Sequence, residues 1–286
     1  MLSLRLITET DLVYPWALIL LSLVLLIASL CALFPAYTAA AGRSTASSTH
    51  FSYTGIDGPL GWTKGDDVNP KCSTGTNQSP INIDSTICVT KSHVKLSIPN
   101  ARLNFTNNGH TLFVATGGSL SIGAENYQLV QFHFHTPAEH LINDEFFPLE
   151  MHLVFKAAGA QPTDPFRLVI GVLFETWAFS TTELLRVLAH TLPREAGTSV
   201  ITRRLIFEPL ISHIEKEGLY TYQGSLTTPP CDEGITWLVS KKTMDVNLKT
   251  YKAFKEVIKF NARYVQNTPG EKNLITFAKD NYPTTA

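Results

Sequence analysis

The sequence lacks a charge excess, is poor in cysteine and has only one long hydrophobic run, and each shortage narrows what the protein can be. Lysine plus arginine number 23 against 24 aspartate plus glutamate, a formal net charge of −1. With Arg5, Glu9 and Asp11 of the N-terminus set aside, 22 basic residues face 22 acidic ones. A nucleic-acid binder needs a basic footprint to neutralise phosphates, so the balance argues against that class. No fixed-period repeat is visible, and 286 residues at 44% apolar suffice for one large domain with a single core, or two small ones. Of the four cysteines, Cys31 lies in the apolar run, leaving Cys72, Cys88 and Cys231. An odd number allows one pair and one spare at most.

The single long run is Trp16 to Phe34, 19 residues interrupted only by Ser22 and Ser29. It meets the roughly 20 residues needed to span a bilayer and exceeds the ~7–15 of an ordinary signal core. Small residues follow it, with Thr38 and Ala40 where a signal peptidase would cut, while Arg5 is offset by Glu9 and Asp11. A buried core helix is the plainer alternative. The organisation expected is therefore a signal peptide or signal-anchor over 1–40, a polar linker over 41–49, and a folded domain over 50–286. Either membrane reading sends residues 41–286 into the secretory pathway, secreted or held by the N-terminal helix. Asn104-Phe105-Thr106 and Asn77-Gln78-Ser79 are glycosylation sequons that matter only there; the second precedes Pro80 and is the poorer.

From about residue 50 the pattern is mainly short strands. "ARLNFTNNGHTLFVA" reads as two runs around an Asn107-Asn108-Gly109 turn, a hairpin signal. "SLSIGAENYQLVQFHFH", "PLEMHLVFKAA" and "FRLVIGVLFE" follow, the last so apolar that it predicts a buried central strand. Helices are predicted in "STTELLRVLAHTL", capped by Ser180, and in "TMDVNLKTYKAFKEVIKFN". "SLTTPPCDEGITWLVS" reads as a loop with paired prolines entering a strand. The whole suggests a large sheet with peripheral helices.

The chemistry concentrates in "LVQFHFHTPAEH". On a strand, Gln131, His133 and His135 leave one face while Phe132 and Phe134 leave the other. Two imidazoles on one face can reach one ion. Glu150 and His152 repeat the device in "LEMHLVF". If the two strands pair, three histidines converge and leave a fourth position open, the arrangement of a catalytic zinc site. Gln131 and Glu150, each two residues from a histidine, are placed to hydrogen-bond the rings and fix their orientation. His133, His135 and Glu139 also match part of the cupin metal pattern. Tyr127, Leu149 and Lys156 stand where that pattern requires Gly, Gly and Asn, which argues against it.

The stretch "YQGSLTTPPC" joins "NQSPINI", "NNGHTLFV", "QFHFH", "AEH" and "EMHLV" in one order. Together they closely resemble the alpha-class carbonic anhydrases, and "HFHTPAEH" is most like the microbial members. The likeness runs from Tyr53 to Arg263 in "FNAR". It implies a single domain around a large, mostly antiparallel central sheet, and reversible hydration of carbon dioxide, with a side esterase activity unsurprising. It implies zinc (Zn2+) on His133, His135 and His152, with water or hydroxide as the fourth ligand. Thr227 would bond that oxygen and Glu139 would orient Thr227, while Thr228 lines the substrate side. Val154, Val169, Leu226 and Trp237 match the family's apolar pocket for carbon dioxide, and His110 its proton shuttle. Tyr53 and Asn108 match residues that order the water chain to that shuttle. Asn261, like Gln131 and Glu150, would support the ligands from behind. Phe113 departs from the vertebrate pattern, where a polar residue is common. By the same resemblance Cys72 and Cys231 are expected as a disulfide, with Cys88 unpaired and buried. A binding module of this fold without zinc would lack a ligand histidine, and a different zinc hydrolase would need a pocket for a larger substrate. The only partner expected is the small-molecule substrate.

Overall fold

A computed structural model of the protein describes residues 51–63, 70–90 and 92–282. The N-terminal segment over 1–40, the linker over 41–49 and the signal or anchor assignment lie outside the described residues. Thr49–Ala286 form one compact unit. Among the described residues, no helix is long and apolar enough to cross a membrane.

The strands are β1 (Asn82–Ile83), β2 (Val94–Ser97), β3 (Asn104–Asn107), β4 (Leu112–Ala115), β5 (Ser119–Ile122), β6 (Glu125–His135), β7 (Leu141–Ile142) and β8 (Leu149–Ala157). They continue with β9 (Leu168–Trp177), β10 (Ser199–Ile201), β11 (Leu219–Ser225), β12 (Glu233–Ser240) and β13 (Met244–Asn247). The helices are α1 (Lys71–Thr74), α2 (Glu183–Ala189), α3 (Glu208–Lys216), α4 (Leu248–Ile258) and α5 (Leu274–Asn281). Among the described residues, an 11-stranded sheet runs in the order β10-β3-β4-β6-β8-β9-β12-β11. β5 extends the β4 edge of β6 and carries β2, while β13 joins β9 beyond β12. The pairings are antiparallel except that β12 and β13 run parallel to β9. β1 and β7 form a separate parallel pair.

The predicted hairpin is β3–β4, with Phe105 opposite Val114 and Asn107 opposite Leu112. Gly109 takes φ +89°, the left-handed region the turn requires. The Asn108 side chain accepts from the amides of His110 and Thr111, closing the turn. β9 is buried over most of its length, as its composition predicts. Phe132, Phe134, Met151, Leu153, Phe155 and Phe174 all enter one core, covered by Leu185 and Leu188 of α2, Ile214 of α3 and Phe254 of α4. Burying each such side chain contributes roughly 1.5–3 kcal/mol.

Three local expectations are corrected. α2 is capped by Thr182, not Ser180: the Thr182 amide donates to the Asp245 carbonyl, which fixes it extended, and its hydroxyl accepts from the Leu185 amide. "TMDVNLKTYKAFKEVIKFN" begins as strand β13, because Met244 and Val246 alternate inward, and becomes helical only after Asn247 caps α4. Cys88 is free but exposed, not buried. Its carbonyl accepts from the Thr221 amide at the edge of β11, while its neighbour Ile87 packs inward, so the Cys88 side chain faces out.

Cys72 in α1 and Cys231 are joined by a disulfide across 159 positions. Closing so long a loop is worth roughly 5 kcal/mol in the chain-entropy account. The bond fastens the N-terminal part of the unit to the loop that follows β11. It also points to an oxidising compartment.

Candidate metal centre and active cavity

β6 and β8 pair so that His133 lies opposite His152 and His135 opposite Glu150. This register carries the sequence alternation of both strands to one place. The metal-binding atoms of His133, His135 and His152 fall within 4.8 Å of one another.

Each ring is held by its other nitrogen. His133 Nδ1 lies 3.0 Å from Gln131 Oε1, His135 Nδ1 2.7 Å from the Asn261 carbonyl oxygen, and His152 Nε2 2.8 Å from Glu150 Oε1. These partners can only accept, so the facing nitrogens carry the protons. What remains bare is Nε2 of His133, Nε2 of His135 and Nδ1 of His152. Asn261 does more than hold a ring: its side chain accepts from the Thr136 amide and donates to the carbonyls of His110 and Phe134. It thereby ties the end of β6 to the hairpin.

Burial sets the electrostatics. It pushes His135 down to about 4 and holds His133 well below the ordinary imidazole value, with His135 and His152 adding to the effect on His133. It lowers His152 too, against the pull of Glu150. Neutral imidazoles with bare nitrogens are metal donors. Burial alone would raise Glu150, but His140 and His152 beside it overturn that and hold it well below the carboxylate range. Glu139 is raised to about 7 by burial, opposed by His152, by the Arg263 amide that donates to Oε1, and by the Thr227 hydroxyl.

Of the polar atoms buried without a hydrogen-bond partner among the described residues, His135 Nε2 and Glu139 Oε2 face each other at the histidines. They stand 3.5 Å apart, and Glu139 Oε2 is 4.0 Å from His152 Nδ1. Buried polar atoms are rarely left unpaired without a reason. A set of three imidazole donors with one orphaned nitrogen fits a zinc ion. His140, Glu150 and His152 form a second close group, but hydrogen bonds within it already satisfy them.

A cavity of about 340 Å³ opens onto His133 and His135, and is lined by Phe51, Tyr53, Asn108, His110, Phe113, Gln131 and Thr228 among others. His110 stacks on Phe51 at 4.1 Å between ring centroids, with the planes 11° apart. Tyr53 is buried, which, with Glu139 nearby, raises its hydroxyl pKa well above the ordinary value. Behind the histidines, Val154, Val169 and Trp237 form one buried apolar cluster, with Leu226 packed against it. The register sets Val169 between Val154 and Trp237, and the Trp237 ring lies 4.8 Å from that of His152.

Of the residues singled out from the sequence, Tyr53, Asn108, His110, Gln131, His133, His135 and Thr228 border this cavity, whereas Glu139 lines a separate pocket with Arg263 and Tyr264, and Leu226 a third. Three were overlooked in a site role: His140, Arg263 and Phe51. "AEH" showed His140 as part of a motif, yet nothing in it indicated a second imidazole on Glu150. Arg263 reaches Glu139 through its main-chain amide, a contact that leaves no side-chain signature.

The family model of the eukaryotic-type carbonic anhydrases matches residues 57–274. A carbonic anhydrase of Neisseria gonorrhoeae is 37% identical over 209 residues, covering 72% of this chain and 79% of the relative. The solved structure of a fungal alpha carbonic anhydrase from Aspergillus oryzae superposes with a TM-score of 0.75 at 39% identity, over 81% of this chain and 99% of the other. An alpha-carbonic anhydrase from Thermovibrio ammonificans, solved with the inhibitor sulfanilamide, gives 0.69 at 33% identity, over 79% and 98%. Sequence, fold and the stretch of chain that holds the three histidines all agree, and the chain belongs to the eukaryotic-type, or alpha, carbonic anhydrase family.

Proposed function

We propose that this enzyme converts carbon dioxide and water reversibly to bicarbonate and a proton, using zinc held by His133, His135 and His152. The observation that carries the reading is the buried, partnerless Nε2 of His135, set beside two further imidazoles whose outer nitrogens are all engaged. Zinc bound there supplies a Lewis acid that lets water ionise near neutral pH, a property already established for carbonic anhydrases.

The protein's own residues do the rest. Glu139, anchored by the Arg263 amide, accepts the proton of the Thr227 hydroxyl in a hydrogen bond. The Thr227 oxygen is then left only to accept, so it selects an attacking oxygen that still carries hydrogen and aims its lone pair at carbon. Thr228 borders the cavity on the substrate side, and the Thr227 amide holds a substrate oxygen. Carbon dioxide carries no charge to grip, and the wall formed by Val154, Val169, Leu226 and Trp237 receives it by excluding water.

His110 relays the proton outward. An imidazole ordinarily titrates near pH ~6.5, close enough to neutrality to take and release a proton in each cycle. Tyr53 and Asn108 line the path and order its water, whereas Phe113 presents hydrocarbon there and makes the path less well wired. The Cys72–Cys231 disulfide supports a secretory route, for which residues 1–40 act as signal or anchor. Asn104 is exposed and Asn77 half-buried, so Asn104 is the better acceptor for a glycan.

Metal analysis of the purified chain, joined to a stopped-flow assay of carbon dioxide hydration, tests the reading. One zinc per chain, with activity lost on chelation and regained with zinc, is the expected result. Hydration that survives complete zinc removal would overturn it.

A further inference from the structure

Beyond Glu150, the buried hydrogen bonds do not stop. His140 Nδ1 lies 2.7 Å from Glu150 Oε1, and His140 Nε2 lies 2.7 Å from the Tyr222 hydroxyl. The Tyr222 hydroxyl donates to Ser79 Oγ at 2.8 Å, and the Ser225 amide donates to the same oxygen at 3.0 Å. In return the Ser79 amide donates to Ser225 Oγ at 3.0 Å. Ser225 immediately precedes Leu226, Thr227 and Thr228, and its carbonyl accepts from Trp237 Nε1 at 2.9 Å. A continuous path therefore runs from His152 through Glu150, His140, Tyr222 and Ser79 to the loop that carries the threonines.

Ser79 is the narrowest point of this path. It is fully buried, and its backbone carbonyl accepts from Arg263, whose amide holds Glu139. The space around its hydroxyl is closed: a Cβ placed on Gly224 would sit 2.2 Å from Ser79 Oγ and 2.7 Å from the Tyr222 ring. Glycine at 224 is thus required for the hydroxyl to reach both donors. No other side chain among the described residues hydrogen-bonds both Tyr222 and the Ser225 backbone.

We propose that Ser79 is a positioning residue that couples the histidine side of the site to the Thr227 loop. It touches neither substrate nor metal. By accepting from Tyr222 it seats the hydrogen bonds that orient His152, and by accepting from Ser225 it sets where Thr227 begins. The inference rests on the zinc reading of the site given above.

The test uses the full chain carrying Ser79→Ala, with Thr227→Ala and the double variant. Two quantities are measured: kcat/KM for carbon dioxide, and the rate at which zinc leaves to a chelator. Ser79→Ala should lower kcat/KM about tenfold and speed zinc loss about tenfold, as outer partners of ligating histidines do elsewhere. In the Thr227→Ala background the kcat/KM effect of Ser79→Ala should vanish while the faster zinc loss persists. Both rates within twofold of the parent overturn the proposal, as does an undiminished kcat/KM effect in the Thr227→Ala background. If Ser79→Ala does not fold, Tyr222→Phe removes the same link from the other side and keeps the ring stacked on Trp237; it should reproduce the faster zinc loss, and an unchanged rate overturns the proposal. Failure of the zinc reading itself would show separately, as a parent protein without stoichiometric zinc.

Discussion

The two faces of β6 and β8 differ more than any two domains could. Phe132, Phe134, Met151, Leu153 and Phe155 on one side meet only hydrocarbon, and their burial needs no partner. One residue away, His133, His135, Glu150 and His152 occupy the other side, where all but His133 are at most 1% exposed. Here burial is costly, because each polar atom taken from water without a partner costs roughly 1–3 kcal/mol. The offset comes from specific bonds: Gln131, the Asn261 carbonyl and Glu150 satisfy the outer nitrogens, and His140 in turn bonds Glu150. One face tolerates approximate packing, whereas the other must be completed atom by atom. The atom it leaves incomplete, His135 Nε2, marks the site, with the equally unpaired Glu139 Oε2 of the following loop 3.5 Å away.

That contrast can be broken from either side. His152→Ala should remove zinc and cut kcat/KM by at least about a thousandfold, since two ligands on one strand cannot hold the ion and several kcal/mol of Lewis-acid stabilisation go with it. Stoichiometric, tightly held zinc in that variant would exclude His152 as a ligand. Phe134→Ala strikes the other face and should cost about 3–5 kcal/mol in urea unfolding, while the folded fraction still binds zinc. If it instead abolished zinc binding in folded protein, the two faces would not be separable.

His110→Ala should lower kcat about 10- to 100-fold in dilute buffer and leave kcat/KM for carbon dioxide nearly unchanged, because attack on substrate precedes the proton transfer. Added imidazole should restore kcat; an unaltered kcat at low buffer would remove His110 from the mechanism.

The metal-free protein should lose stability as pH falls from about 6.5 toward about 4. His135 has a folded value of about 4 against an unfolded value near 6.5, so between them the unfolded chain binds more protons. His133 and His152, also lowered, act in the same direction. Glu139, raised to about 7, acts in the opposite one, and Glu139→Gln should therefore steepen the loss. Urea midpoints of chelator-treated protein at pH 7, 5.5 and 4.5 give the sign. Smallest of all, Cys88→Ser should change stability by less than about 0.5 kcal/mol, since the thiol is exposed and unpaired. A larger loss would mean that Cys88 packs inward after all.

Much of this was legible in the chain because it is written at short range. The alternation from Gln131 to His135 sorts phenylalanines from histidines, and Asn107-Asn108-Gly109 announces the hairpin, because side-chain direction and turn chemistry are local properties. Glu150 and His152 declare a matching face for the same reason. Resemblance to a family, not spacing, singled out Thr227, His110 and the Cys72–Cys231 pair.

Other features arise only when distant segments meet. Leu129 faces the same core as Phe132, three residues on, which strict alternation forbids; a register shift between Leu129 and Gln131 against β8 makes it so. Helix or strand at Met244–Asn247 was decided by the β9 edge available to pair with it, not by propensity. The outward thiol of Cys88, the Arg263 amide on Glu139 and the path through Ser79 depend on residues more than a hundred positions apart. Sequence thus determined which residues could share a face and what chemistry that face could hold. Tertiary structure alone decided which buried polar atoms found partners and which did not, because that depends on distances between segments that no local pattern encodes.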